Sequence, residues 1–221
     1  MGRDATLGRS ATALGLWHTP AEAQTVLDTL RAGREVTDLP AILCHQDGHS
    51  LETLLRALGP VWPGRLRLKG VPLGDCWGHP GPEDGLLPFH KLTQWLTYSL
   101  LEPLEAAGLI ITGLDELTGL PEYRNGGLLL DFGLIQPRDE RFWHHTWTMD
   151  APAIVEWRAL TVIGLDRLAD AVRGELGLSR EAFPLARVLE GGTWSAGRRI
   201  AAQRRQGGGP PLRLISDGTV F

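Results

Sequence analysis

Two carboxylates bracket a Tyr-Arg pair in the run Glu122-Tyr123-Arg124-Asn125-Gly126-Gly127 to Asp131. Carboxylates placed this way can stabilise a positive, oxocarbenium-like centre while an arginine holds an anion. Glu122 and Asp131 are therefore the candidate catalytic pair, and Tyr123, Arg124 and Asn125 candidate substrate contacts. The glycine pair removes side chains where a ligand would approach the backbone. The plainer reading is a helix with an Arg–Glu surface pair and a glycine turn. Upstream, His90, Lys91, Gln94, Trp95 and Tyr98 gather on one side of a helical wheel, at the start of a helix, where backbone N–H groups favour an anion. They could hold a phosphate and a planar polar group; the plainer reading is a solvated face with two stray aromatics. We expect the two segments to form opposite walls of one site, with His90, Tyr98, Glu122 and Arg124 lining it.

Weaker constellations lie elsewhere. Asp75-Cys76-Trp77-Gly78-His79 sets a Cys and a His at metal-ligand spacing, but one such pair is a poor signal. Loop anchoring is the better reading, and no metal site is expected. Glu190-Gly191-Gly192-Thr193-Trp194, with Arg198 a turn further, could offer backbone N–H groups to an anion. It is neither a Walker loop nor a dinucleotide fingerprint, so no nucleotide cofactor is expected. Arg198 to Arg205 reads as a solvated helix face. No GxSxG elbow or Cys-centred signature supports acyl hydrolysis.

The elements that must position these groups are mostly helical. Thr19-Pro20-Ala21-Glu22 opens a helix closed by Gly33, and Ser50 caps another stopped by Gly59-Pro60. Residues 61–86 are dense in Gly and Pro; only Arg65–Lys69 alternates as a strand does. A long helix begins near Leu87 with Pro88 in its first turn, carries a Leu92, Leu96, Ser99, Leu100 and Leu104 stripe, and bends or ends at Glu102-Pro103. Residues 136–150 read as a polar-aromatic loop. Asp150-Ala151-Pro152 starts a helix to about Leu176, ended by Gly177. Its apolar residues surround it, which predicts a buried central helix whose Glu156 and Arg158 are not bland surface charges. Ser179 caps a short helix toward Leu189, the Glu190–Trp194 segment breaks it, and a basic helix follows. A flexible Gln206–Gly209 loop leads to a strand over Leu212–Ser216. The class is mainly α, with short strands and long ordered loops.

Composition bounds the partners. Apolar residues are 43% and charged residues 22% of 221, ordinary for a globular chain long enough to bury a core. A net charge of −4 gives no reason to expect nucleic acid. Eight Trp against two Tyr leans toward a stacking pocket. Two cysteines cannot build a disulfide scaffold and fit a reducing cytoplasm. The absence of any long apolar run excludes a membrane helix from the expectation.

Long matches in order then carry a resemblance: GPVWPGRLRLKGVPLGDCWGHP, LPFHKLTQWLTYSLLEPLE, TGLPEYRNGGLLLDFG, VEWRALTVIGLDRLA, LEGGTWSAGRRIA and ISDGTVF. Over residues 48–221 the chain resembles the uracil-catabolism proteins of fungi and bacteria, long carried as a domain of unknown function. Residues 1–47 match only loosely, as an N-terminal helical segment. The resemblance implies a role in converting uracil to a nucleotide, opening its ring and releasing urea. The natural step is hydrolysis of a ribosylurea-type nucleotide, with Trp194, Arg198, Glu156 and Asp217 as further candidate substrate contacts. Glu122-Tyr123-Arg124 is also similar to the acidic-Tyr-Arg core of queuosine-salvage nucleotide glycosylases, which carry Asp at the first position; that likeness implies a helix-hairpin-helix glycosylase-like arrangement. Typical family members have a further N-terminal region, so a missing region or partner chain is expected beside a nucleotide substrate. The alternative is a non-catalytic ligand-binding or partner subunit.

Overall fold

The computed structural model describes residues 35–36, 66–106 and 110–216, side chains at 35, 36, 71, 72, 96, 115 and 190 excepted. The helices expected after Pro20 and Ser50, Cys44, and Asp217 lie outside them. The fold is mainly α. The chain divides into two compact units, one of residues 1–63, 67–74 and 92–117, the other of 64–66, 75–91 and 118–221.

In the first unit, β1 (Glu35–Val36) pairs in parallel with β6 (Ile110–Ile111). Strands β2 (Arg67–Leu68) and β3 (Val71–Pro72) form a hairpin closed by Lys69 and Gly70, both at positive φ, as a two-residue turn of matching twist requires. Helix α1 (Lys91–Ala106) has its first residue in the second unit and the others in the first. It begins later than its sequence suggested, because Pro88 sits in a strand. It also runs past Pro103, since one lost hydrogen bond near a helix end is tolerable. The buried stripe is Thr93, Thr97, Leu100 and Leu104, with Ser99 exposed. Threonine can be buried there because the Thr97 hydroxyl donates to the Thr93 carbonyl at 2.9 Å.

In the second unit, β4 (Cys76–Gly78) and β5 (Leu86–Pro88) form a hairpin from what read as a loop. Helix α2 (Tyr123–Asp131) is buried from Asn125 to Leu130. The short α3 (Arg141–His144) precedes β7 (Thr146–Thr148), which pairs in parallel with β8 (Arg213–Ile215). The expected 136–150 loop is thus partly regular, its indole Trp147 Nε1–H donating to the Phe142 carbonyl at 2.9 Å. Helix α4 (Pro152–Leu176) has the expected bounds, with Gly177 left-handed at φ 65. It is not apolar all round. Ile154, Val155, Trp157, Arg158, Thr161, Leu165, Ala169 and Arg173 are buried, while Glu156, Leu160 and Ile163 face solvent.

The expected break at Glu190 does not occur. Helix α5 (Leu185–Val188), which starts at Pro184 rather than Ser179, passes through a π turn (Leu189–Trp194) into α6 (Ser195–Arg204). The Thr193 hydroxyl, buried, donates to the Leu189 carbonyl inside this turn. Glycines let α2 meet its neighbours. A Cβ on Gly126 would lie 2.8 Å from Trp157 and Thr161, and one on Gly197 would fall on the Arg124 carbonyl. Gly126 and Gly197 therefore serve helix packing, which corrects the reading of Gly126 as ligand clearance. Backbone against backbone cannot relax cheaply, so Gly197→Ala is expected to destabilise by roughly 2 kcal/mol or more. Gly174, in α4 with nothing near its Cβ position, is the control: Gly174→Ala should stabilise by about 0.5–1 kcal/mol. Urea-unfolding midpoints of the two variants check both signs.

Candidate functional site

Asp75, just before β4, is the group around which the second unit's polar interior is built. It is 2% exposed and Arg158 is 0% exposed. The guanidinium grips the carboxylate with two parallel bonds, Nη1 to Oδ1 at 2.7 Å and Nη2 to Oδ2 at 2.8 Å. The Trp77 indole donates to Oδ1 at 2.6 Å, and the Lys91 backbone N–H donates to Oδ2 at 3.0 Å. Burial pushes the Asp75 carboxyl up, but the Arg158 charge and the hydrogen bonds outweigh it and leave the pKa at about 2. The third guanidinium arm, Nε–H, donates to the Pro121 carbonyl at 3.1 Å, and the guanidinium lies 4.3 Å from the Phe89 ring centre. One ion pair thus fixes both the residue that begins α1 and the residue before Glu122.

Glu122 caps α2. Its two carboxylate oxygens accept the Arg124 and Asn125 N–H groups at 2.6 and 2.7 Å. These are two of the donors that a helix start leaves unpaired. The side chain is buried, and desolvation raises its pKa despite these bonds and the charges of Lys91 and Arg124. Lys91 is its counterpart. Desolvation lowers the amine's pKa, and the Arg158 charge lowers it further, against opposing pulls from Glu122 and Asp75. Among the described residues Lys91 takes part in no ion pair. Burial thus shifts both groups toward their neutral forms.

Two buried polar atoms in this neighbourhood have no hydrogen-bond partner: Asn125 Oδ1 and His90 Nδ1. The Asn125 amide nitrogen is held by the Leu120 carbonyl at 3.1 Å, which fixes the direction of the orphaned oxygen. His90 is not in the helix as expected but before it, at φ 45, a left-handed conformation uncommon for histidine. Its backbone N–H and that of Phe89 both reach the Asp75 carbonyl. The two unpartnered atoms and the left-handed His90 make these residues the candidate site.

The other sequence candidates are distributed differently. Arg124 stacks on Tyr123 at 4.6 Å and donates from Nη1 to the Gly208 carbonyl at 2.6 Å. Asp131 ends α2, and Arg205 holds it with bonds of 2.7 and 2.6 Å. At 1.5 Å of rise per residue, Glu122 and Asp131 stand about 13 Å apart along the helix. Both arginines clamp the segment after α6: Arg205 also donates to Gly209, and Gln206–Gly208 forms a short 3₁₀ turn in which Gly207 is left-handed. Trp194 is 39% exposed beneath Arg198, whose guanidinium is 4.9 Å away. The backbone of Glu190–Trp194 is part of a continuous helical run, so its N–H groups do not form the expected anion cradle. Gln94, Trp95 and Tyr98 belong to the first unit, Trp95 being exposed. Glu156 faces solvent and lines a cleft of about 620 Å³ with Phe142, His145, Trp147, Trp157 and Leu160, a cleft that includes neither Glu122 nor Lys91. His79 Nδ1 accepts the Gly81 N–H at 3.0 Å, the anchoring role preferred over metal binding. Among the described residues no group of three His, Cys, Asp or Glu could hold a metal, and no helix is long and apolar enough to cross a membrane.

Asp75 and Arg158 were missed as site residues. Arg158 carried a signal, a charge among the apolar residues of a long helix, but nothing in the sequence named its partner 83 positions away.

A family model described as a protein of unknown function (DUF1688) matches residues 21–221. Protein urg3 of Schizosaccharomyces pombe is 44% identical over 174 residues, covering 77% of this chain and 43% of that protein. Uracil catabolism protein 4 of Lachancea kluyveri is 42% identical over 196 residues, covering 76% of this chain and 44% of that protein. The chain spans less than half the length of these curated relatives. It belongs to the family so described, and one of these relatives is named for uracil catabolism.

Proposed function

We propose that the protein acts in uracil catabolism, as one of its relatives is named for doing, and hydrolyses the ribosyl C–N bond of a ribosylurea-type nucleotide. The observation that carries this reading is the Glu122–Lys91 cluster with its two orphaned polar atoms. Breaking a ribosyl C–N bond builds positive charge at the anomeric carbon, and a desolvated carboxylate lowers that barrier electrostatically. The same carboxylate takes a proton from the attacking water, as its raised pKa favours. Asn125 Oδ1 is an acceptor suited to the N–H groups of a urea leaving group. Arg124 has one of its five donors committed to Gly208 and is the candidate for the phosphate. Asp131, paired with Arg205 at the far end of α2, is left out of the chemistry.

A second reading, a non-catalytic ligand-binding or partner subunit, is favoured by the structural duties of these same groups: Glu122 caps a helix and Arg124 pins a turn. Incubation with a ribosylurea 5′-phosphate separates the two. The hydrolase releases urea and ribose 5-phosphate in equal amounts. Binding by calorimetry without urea release would overturn the hydrolase in favour of the second reading.

A further inference from the structure

We propose that the cleft enclosed by the 134–139 segment, α3, β7 and the first turns of α4 binds a small, neutral, flat ring carrying an N–H donor beside a C=O acceptor. The proposal does not rest on the hydrolase reading, because the cleft includes neither Glu122 nor Lys91.

The cleft lies wholly within the second unit. Its volume of about 620 Å³ is in the range of roughly 300–1,000 Å³ that small-molecule sites occupy. The walls are aromatic. Phe142 and Trp157 are buried and meet edge to face, their ring centres 6.3 Å apart. Trp147 is half-buried, 6.0 Å from Phe142 and 4.6 Å from the exposed His145. The buried pair is the rigid backing, and Trp147 and His145 supply the ring surface that a ligand can reach. Both indole N–H groups are already used, Trp147 on the Phe142 carbonyl at 2.9 Å and Trp157 on the Gly126 carbonyl at 3.2 Å. The indoles therefore offer π surface in place of hydrogen bonds, which selects for a flat ring.

The polar groups set the ligand's charge and edge. Four charged residues line the cleft, Arg138, Asp139, Arg141 and Glu156, and their formal charges cancel. Asp139 and Arg141 satisfy each other, with Arg141 Nε–H donating to Asp139 Oδ2 at 2.7 Å. The side chains of Glu156 and Arg138 enter no ion pair among the described residues. That leaves one carboxylate acceptor and one guanidinium donor for a ligand. An anion would be repelled by Glu156 and a cation by Arg138. A neutral ring that gives an N–H to Glu156 and offers a C=O to Arg138 satisfies both. A cyclic amide, with the two groups side by side on one edge, is the simplest such ligand.

The test is calorimetric titration of the intact chain with matched one-ring probes. 2-Pyridone is flat and neutral and carries the N–H and C=O edge. 2-Piperidone keeps that edge on a puckered, saturated ring, while benzoate and benzamidine are flat but charged. 2-Pyridone should bind with a dissociation constant on the order of 1 mM or tighter. 2-Piperidone should bind roughly tenfold more weakly, the scale of one lost stacking contact. Both charged probes should also bind more weakly than 2-pyridone. Glu156→Lys changes an exposed residue, removes the acceptor and leaves the lining net positive. It should weaken 2-pyridone roughly fivefold and make benzoate the tighter ligand. Arg138→Glu, also exposed, is the mirror variant and should make benzamidine the tighter ligand. No binding of 2-pyridone, or equal binding of 2-piperidone, overturns the proposal. So does a charged probe that outbinds 2-pyridone on the wild type. So does a variant, folded by circular dichroism, that binds all four probes as the wild type does.

Discussion

Arg158→Met should cost about 3–5 kcal/mol, a large share of an ordinary domain's stability, because it leaves the Asp75 carboxylate buried without its counter-charge. Four hydrogen bonds now converge on that carboxylate, two from Arg158, one from Trp77 and one from the Lys91 N–H. Taking away the guanidinium removes two of them and the charge that compensates burial. It also frees the Pro121 carbonyl next to Glu122. Asp75→Leu alone should be costly for the converse reason, an unpaired guanidinium. The double variant should recover much of the loss, since two apolar side chains can replace a buried ion pair at little cost. Urea-unfolding midpoints around this double-mutant cycle measure the coupling; additive losses would show that the pair is not the keystone. The wild-type pH dependence adds a second readout. Asp75 has its folded pKa lowered to about 2 from the ordinary 3.8. The unfolded chain therefore binds a proton first as pH falls. The contribution of about 2 kcal/mol is complete above the unfolded value and is lost as pH drops through about 2. In Arg158→Met, desolvation acts on Asp75 without its compensating charge, and that acid limb should vanish.

How far the sequence could be read depended on the range of the interaction. Helix α4 was placed to the residue because its signals are local, Pro152 at the start and a left-handed Gly177 after the end. Glu122, Lys91, His90 and Asn125 were singled out as candidates because each stands in a short run of polar residues, a signal that is local. The start of α1 was misplaced because Pro88 satisfies a strand edge as readily as a helix start, and the deciding partner, Cys76, lies in another hairpin. The faces of α4 were misjudged because Leu160 and Ile163 are apolar yet exposed, which composition cannot reveal. Asp131 was paired with Glu122 by proximity in sequence, whereas α2 holds them at opposite ends and Arg205 claims the second. Asp75 finding Arg158, and Arg124 finding Gly208, are long-range choices made by packing.

Glu122→Gln should leave substrate binding within a few fold and lower turnover by roughly a hundredfold or more, the scale on which one preorganised electrostatic group acts. The two forms have the same shape, so the substrate's other contacts persist. The difference is the negative charge that stabilises the anomeric carbon and the basic oxygen that receives the proton of water. The substitution also has a structural cost that must be kept separate. The glutamine oxygen can accept one of the two N–H groups that Glu122 now caps, but its NH₂ cannot accept the other. A loss of about 1 kcal/mol of stability is the usual scale for a weakened helix cap, too small to unfold an ordinary domain. Circular dichroism and an unfolding midpoint therefore establish that the variant is folded before rates are compared. The pH profile is the readout that a purely structural Glu122 would not produce. Desolvation raises its folded pKa, and the proposed reaction needs the carboxylate. Wild-type kcat/KM for urea release should therefore fall on the acid side at a pH above the ordinary glutamate value, and the limb should be absent in the variant. A folded Glu122→Gln protein with undiminished turnover, or an unchanged acid limb, would reduce Glu122 to a helix cap and remove it from the chemistry.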